Sequence, residues 1–402
     1  VTASDDLPLA GVRIIEISSF VAVPLAGMTL AQLGAEVIRV DPVGGAADYK
    51  RWPLTDAGDS IYWAGLNKSK RSVAADMRSE EGQQLVARLI AEAGVLITNV
   101  AGRQWHSYEE LSAQRPDLIH LEVVGRHDGS TGVDYTVNAA TGFPLVTGSP
   151  AQGGPVNHVL PAWDVSCGLY AALAILVALR RRDATGAGSR IRLPLDDVAL
   201  ATAANLGFLT EPMVNGTQRP RLGNAIYGQY GQEFTSSDGA TFMLVALTNR
   251  HFKDLAALTG TTKAVAAVGE ALGADFTDEG QRYEHRAVLG GLFAPWFKTH
   301  TAQEVTAALS ASSVLWERYL DFAEVAQDPR VTANPLFTTL TQPRIGSYLA
   351  PGLPMSVDGA HVAALPAPAL GDDTAAVLTE LGLTADEIAG LVESGTVTTG
   401  TA

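Results

Sequence analysis

Residues 11–41, GVRIIEISSFVAVPLAGMTLAQLGAEVIRVD, decide the fold. The run VRIIEIS predicts a short strand. Pro24 can open a helix over 25–33, and Gly34 can close it. AEVIRVD then reads as a second strand. Strand, helix and strand within roughly thirty residues make a right-handed βαβ unit. Such a unit begins a doubly wound α/β domain. No GxGxxG turn follows the first strand, which argues against a nicotinamide or flavin dinucleotide site of the usual kind.

The alternation continues outward from that unit. Residues 41–60, DPVGGAADYKRWPLTDAGDS, form a long Gly- and Asp-rich loop. A helical segment ends near Asn67, and KSKR is a basic turn. RSVAAD is a strand, a helix capped by Ser79 runs to about Ala93, and VLITN is the next strand. YEELSAQRP (helix) and LIHLEVVGR (strand) follow. Another strand is expected at Ser189–Pro194. Residues 1–200 thus read as the N-terminal part of a large Rossmann-like α/β domain. Beyond it, two strand-like runs joined by SSDG (236–239) predict a hairpin. With the amphipathic helical stretches after it, this makes a smaller α+β domain over 225–330. Residues 331–402 return to the large domain through loops, Pro-rich turns and a helix over 374–381.

One stretch stands apart: NHVLPAWDVSCGLYAALAILVALRRR, residues 157–182. It predicts a buried helix with a small-residue face (Ser166, Cys167, Gly168, Ala171, Ala172, Ala174). Asp164 is the acidic group at its head. It is either a helix cap or a carboxylate held in a dry site for chemistry. The apolar stretch after Gly168 is about a dozen residues, short for a membrane span.

Lys and Arg number 28 against 43 Asp and Glu, so the net charge is −15 and nucleic acid is a poor general partner. Cys167 is the single cysteine, which excludes an intrachain disulfide and fits a buried small residue. The histidines show no HxH or HExxH spacing, so no metal is expected. The N-terminal segment lacks the pattern of a signal peptide, and a cytoplasmic protein without membrane attachment is expected. Cations cluster in the first third: Arg39, Lys50, Arg51, Lys68, Lys70, Arg71 and Arg103. They are either scattered surface charges or a site for a phosphorylated ligand at the carboxyl ends of parallel strands.

Taken together, the opening motif through DPVGGAADYKRW, the stretch NKSKRSVAADMRSEEGQQLVARLIAEAGVLITN, the segment PAWDVSCG and the hairpin strand DGATFMLVAL resemble the family III (CaiB/BaiF-like) CoA transferases. The resemblance extends from Gly11 to about Leu381. It implies an interlocked-ring homodimer with active sites between large and small domains. It implies acyl-CoA and carboxylic acid substrates and no tightly bound cofactor. Asp164 falls on the family's nucleophilic aspartate, which is acylated in turn by acyl group and CoA. CoA would move between the two carboxylates of one diacid, or between two different acids.

The resemblance also implies roles for other residues. Gln32 is a candidate oxyanion donor or a packing group. Arg39, Lys68, Arg71, Asn99 and Arg103 would hold the nucleotide end. Phe20, Val21 and Ala22 would line the pantetheine arm. Tyr135, Asn138 and His158 would face the acyl group, His158 as a donor to a distal carboxylate or as a plain core or surface histidine. The α-methylacyl-CoA racemases of this family carry a histidine where Gly132-Val133-Asp134 has valine. Valine cannot exchange a proton, so racemization is disfavoured here.

Overall fold

The computed structural model describes residues 7–100, 104–357 and 359–400. Its contacts divide the chain into two compact units. The first holds the residues up to Thr141, His158–Thr210 and the chain from Gln327 onward; the second holds Gly142–Asn157 and Glu211–Ala326. Gly142–Asn157, expected in the large domain, therefore groups with the second unit. Arg221 explains this locally. Its guanidinium donates to the backbone oxygens of Leu145, Gln152 and Gly154 and binds that segment down.

The first unit is an α/β layer structure. Strands β1 (Arg13–Ile17), β2 (Glu36–Asp41), β3 (Arg71–Ala75), β4 (Val95–Thr98), β5 (Ile119–Val124) and β6 (Ser189–Pro194) are parallel in the order 3-2-1-4-5-6. That is the doubly wound order, with its switch point between β1 and β4. Its strands read as near-continuous apolar runs because both faces are covered. Ile14, Ile15, Ile38, Val73, Leu96 and Leu121 are fully buried.

The second unit has its own core. It packs the antiparallel strands β7 (Tyr230–Thr235), β8 (Thr241–Ala246) and β9 (Leu315–Arg318) on helices. The hairpin over SSDG is present as expected, but β9 was not anticipated. Phe234 stacks on Phe297 at 4.5 Å, and Tyr230 meets Phe293 edge-on at 5.7 Å.

The returning chain adds the hairpins β10 (Phe337–Gln342) with β11 (Gly346–Pro351) and β12 (Ser356–Val357) with β13 (Ala360–His361). Its last strand, β14 (Val397–Thr398), pairs antiparallel with β3 and closes the sheet's edge.

Two helices position the site. The first helix, Ala22–Gln32, lies beside the central helix, Ala162–Thr185. Gly168 permits this, since a Cβ there would lie 2.6 Å from the Ala22 carbonyl oxygen. Leu179 and Arg182, at the far end of the central helix, line a groove with Ala31 and Gln32. The two helices therefore run parallel, heads together. At 24 residues the central helix is twice the expected apolar length, and by length and composition it would pass for a membrane span. Its small-residue face (Cys167, Gly168, Ala171, Ala172) is buried, as expected. Its other face leaves Leu169, Tyr170, Leu173 and Val177 each more than half exposed.

Candidate active site

The head of the central helix resolves the ambiguity at Asp164. Pro161 precedes the first turn and offers no side-chain acceptor. The cap comes from another segment: Asp134 Oδ2 accepts from the backbone N–H groups of Trp163 (2.8 Å) and Asp164 (3.1 Å). Asp134 is almost fully buried, and its Oδ1 lies 2.6 Å from His158 Nε2. A carboxylate at a helix amino end is stabilised by the dipole and the free N–H groups. Asp134 therefore does the capping, and the described residues give the Asp164 carboxylate no hydrogen bond.

That carboxylate sits in a partly buried, negatively biased place. Burial raises its pKa, the neighbouring charge of Asp134 raises it further, and Arg51 pulls the other way; the result is about 6. Beneath it, burial and the Asp164 charge push the Cys167 thiol up to about 12, so Cys167 stays a protonated packing group. Around it stands an aromatic wall. Tyr135 meets His158 edge-on at 5.7 Å, and its hydroxyl donates to the Val159 carbonyl. Trp163 donates from Nε1 to Asn138 Oδ1 at 3.0 Å.

The opposite side of the site is built by the loop between β2 and β3. Asp48 accepts from the Phe20 N–H (3.0 Å) and pairs with Arg39 (3.1 Å). This contact holds Phe20 at a φ of 65°, a left-handed conformation that costs a bulky residue roughly 1–3 kcal/mol. Arg51 donates its backbone N–H to the Asp48 carbonyl, and its own carbonyl accepts from the Ser60 hydroxyl. Its guanidinium lies over the rings of Phe20 (5.2 Å) and Tyr62 (5.1 Å). Among the described residues it meets no carboxylate. Tyr62 shares this environment: its buried hydroxyl has no hydrogen-bond partner, and burial first, then Asp164, push its pKa up to about 12.

The expected acyl-side residues thus gather at Asp164, though with altered parts. Tyr135 faces the site at 42% exposure, whereas Asn138 is buried and holds Trp163 in place. His158 is engaged by Asp134 through Nε2, which takes that nitrogen from the distal carboxylate it was expected to meet. Phe20, Val21 and Ala22 run from the end of β1 into the first helix at the same edge. Asn99 clamps that turn: its Oδ1 accepts from the Ser19 N–H and its Nδ2 donates to the Ser19 carbonyl.

Several expected placements fail on geometry. Gln32 ends the first helix, one helix length from Asp164, in the groove beside Leu179 and Arg182. From Asp164 to Leu179 is about 22 Å along a helix, too far for an oxyanion donor. Arg39 is buried, and its guanidinium is used by Asp41, Asp48, Asn67 Oδ1 and the Ser18 carbonyl, so no face remains for a phosphate. Arg71 opens β3 at the sheet's amino edge and pairs with Glu36, Glu380 and Asp373. Lys68 is buried and donates to the Gly65 carbonyl at 2.8 Å. Arg103 lies outside the described residues.

The sequence reading missed Asp134, Arg51 and Tyr62, and the first two could have been found. Asp134 stands in the segment read only for its missing histidine, and Arg51 was counted among the basic residues without a role. Tyr62 carried no signal. At the β1/β4 switch point a cavity of about 390 Å³ opens between Ser18, Ser19, Val40, Arg78, Val100 and Trp105. Ligands of doubly wound sheets bind at such a crevice. Among the described residues no group of three or more His, Cys, Asp or Glu side chains could hold a metal.

The chain matches the model of CoA-transferase family III over residues 9–374. It is 46% identical over 398 residues to 2-methylfumaryl-CoA isomerase of Chloroflexus aurantiacus, with 97% of each chain covered. It is 28% identical to succinyl-CoA–D-citramalate CoA-transferase of the same organism, covering 95% of this chain and 96% of that one. The solved structure of a CAIB/BAIF family protein from Brucella suis superposes with a TM-score of 0.79 at 28% identity, over 93% of this chain and 99% of that one.

Proposed function

The chain belongs to the family III CoA transferases, and on that premise we propose that Asp164 is its acylated nucleophile in an intramolecular transfer of CoA between the two carboxylates of 2-methylfumaryl-CoA. The observation that carries this reading is a partly buried carboxylate with no hydrogen bond among the described residues, at a helix head whose capping is done by Asp134. A pKa of about 6 leaves it mostly ionised at neutral pH, yet more basic than a free carboxylate.

The steps follow from carboxylate chemistry. Asp164 attacks the thioester carbonyl, the C–S bond breaks, and CoA leaves as thiolate. The acyl group is then joined to Asp164 as a mixed anhydride. The thiolate attacks the aspartyl carbonyl and releases the diacid as a dicarboxylate, giving an aspartyl-CoA thioester. The diacid's other carboxylate attacks that carbonyl, the C–S bond breaks and CoA leaves again as thiolate, forming a new anhydride. The thiolate then attacks the acyl carbonyl of this anhydride and restores Asp164. Both intermediates hydrolyse in water, so the aromatic wall of Tyr135, His158 and Trp163 serves by excluding it. The crevice at the switch point takes the nucleotide end, with Trp105 as a platform and, in place of Arg39 and Arg71, Arg78 as its cation. Arg78 pairs with Asp76 through Nε at 3.0 Å but is otherwise exposed, so its terminal nitrogens remain for a phosphate.

The intermolecular reading, CoA passing from one acid to another, is favoured by the 28% identical relative whose name describes such a transfer. Incubation with the 1-thioester of 2-methylfumaryl-CoA and labelled free acid separates the two. Formation of the 4-thioester without label supports the intramolecular reaction. Full incorporation of label, or transfer only from succinyl-CoA, sinks it. The apolar stripe Leu169, Tyr170, Leu173 and Val177 supports a homodimer in which a second chain covers the central helix. Leu173→Glu would shift the molar mass by light scattering toward that of one chain.

A further inference from the structure

We propose that Arg51, together with the Tyr62 hydroxyl, forms a specificity site for the free carboxylate of a dicarboxylic acyl-CoA. The inference rests on the reading of Asp164 as nucleophile and names the substrate class for that same site.

Four observations converge. The Arg51 guanidinium has neither a carboxylate nor a hydrogen-bond partner among the described residues, although most other arginines of this unit have one. Its position is fixed all the same: two aromatic faces bracket it, and its backbone is tied at N–H to Asp48 and at C=O to Ser60. A planar cation held flat by rings keeps its donor edge pre-organised for a bidentate carboxylate. Second, the Tyr62 hydroxyl is buried with no partner, a costly state unless an acceptor arrives. Third, Arg51 lies over Phe20 and Tyr62, and Phe20 leads into the first helix where Ala22 meets Gly168, one turn from Asp164, so both groups stand near the acyl end. Fourth, the histidine expected to take this role has its Nε2 on Asp134.

The chemistry suits a substrate whose two ends exchange roles. Whichever end carries CoA, the other is a free carboxylate, and one cationic grip serves both the 1- and the 4-thioester. An acyl chain without the second carboxylate leaves the buried Tyr62 hydroxyl unpaired and lays an apolar end on Arg51, which is exposed in the free chain; a site built to bond a polar group rejects the analogue that lacks it.

The test uses binding, so that it does not depend on turnover. Two unreactive CoA thioethers are titrated calorimetrically into the wild type, Arg51→Gln, Arg51→Lys and Tyr62→Phe. One bears a four-carbon chain ending in a carboxylate, the other a methyl-terminated chain of equal length. Wild type is expected to prefer the carboxylate form. Arg51→Gln should lose on the order of a hundredfold for it and under about threefold for the apolar one. Arg51→Lys should recover part of the loss, and Tyr62→Phe should lose less than Arg51→Gln. Equal losses for both ligands, or no change in the ratio, would overturn the proposal; so would an Arg51→Gln defect that CoA alone reproduces. Trapping of an Asp164 hydroxamate with hydroxylamine and acyl-CoA runs in parallel. Its absence would sink the nucleophile while leaving the carboxylate preference to stand or fall on the titrations.

Discussion

The two edges of the parallel sheet use charge in opposite ways. At the amino edge the arginines are paired off. Arg13 reaches Glu36, Glu92 and Glu380, and Arg71 reaches Glu36, Glu380 and Asp373. Arg182 donates to the Gly94 carbonyl just before β4. These contacts tie the returning chain to the sheet. At the carboxyl edge there is an inner, closed network and an outer, open one. Inside, the carboxyl groups of Glu16, Asp41 and Asp48 enclose the two cations Arg39 and Lys70 in full burial. Lys70 pays for its burial with a pKa lowered to about 8, mainly by desolvation and partly offset by Glu16. Outside, Asp164 and Arg51 stand uncommitted. Charge that builds the fold is paired, and charge meant for a substrate is left open.

The widest break in that comparison is at the open carboxylate. Asp164→Ala should lower turnover by about four orders of magnitude or more, with CoA binding and fold retained, as quenched-flow kinetics and circular dichroism would show. Near-normal turnover in that variant would remove the nucleophile from the mechanism.

The same group should act against stability. Its folded pKa, about 6, lies above the ordinary 3.8, so its favourable contribution is complete below 3.8 and is lost as pH rises through 6. Asp164→Asn should therefore melt higher than the wild type at pH 8, by about 2 kcal/mol, with the gap closing toward pH 4. An equal gap at both pH values would mean that ionisation is not its cause. The wild type's kcat/KM should climb with pH through an inflexion near 6, as the carboxylate ionises.

Asp134 sharpens the contrast by doing both jobs. Its negative charge caps the central helix and raises the Asp164 pKa. Asp134→Asn should cost roughly 1 kcal/mol of stability through the weakened cap and move the kcat/KM inflexion to lower pH. An unmoved inflexion would show that burial alone holds it.

What the sequence disclosed follows the range of the physics involved. The βαβ opening was legible because Pro24, Gly34 and the β-branched runs act locally. Strands β9 and β14 were not, because four and two residues carry little pattern and their pairing partners are far away in the chain. Asp164 was legible as a lone acid ahead of an apolar helix. Whether it capped that helix was not, because the cap comes from Asp134, thirty residues earlier in the chain. The basic residues misled for a related reason. Composition shows that a cation exists, but only the fold shows whether a carboxylate has already taken it, as at Arg39, or none has, as at Arg51. Gln32 was assigned to the right helix and the wrong end, an error that one helix length makes decisive.

The smallest expected effect tests the paired edge. Arg71 was a candidate for the nucleotide, yet it lies at the amino ends of the strands, while doubly wound sheets bind at the carboxyl ends. It is partly exposed, and its ion pairs to Glu36 and Glu380 are screened by solvent. Arg71→Ala should thus cost no more than about 1 kcal/mol in urea unfolding and change the KM for acyl-CoA less than about twofold. Glu36 and Glu380 would still have Arg13, so the loss is shared and the edge does not open. A tenfold rise in KM without loss of stability would place the nucleotide at the amino edge and undo the division of labour between the two ends of the sheet.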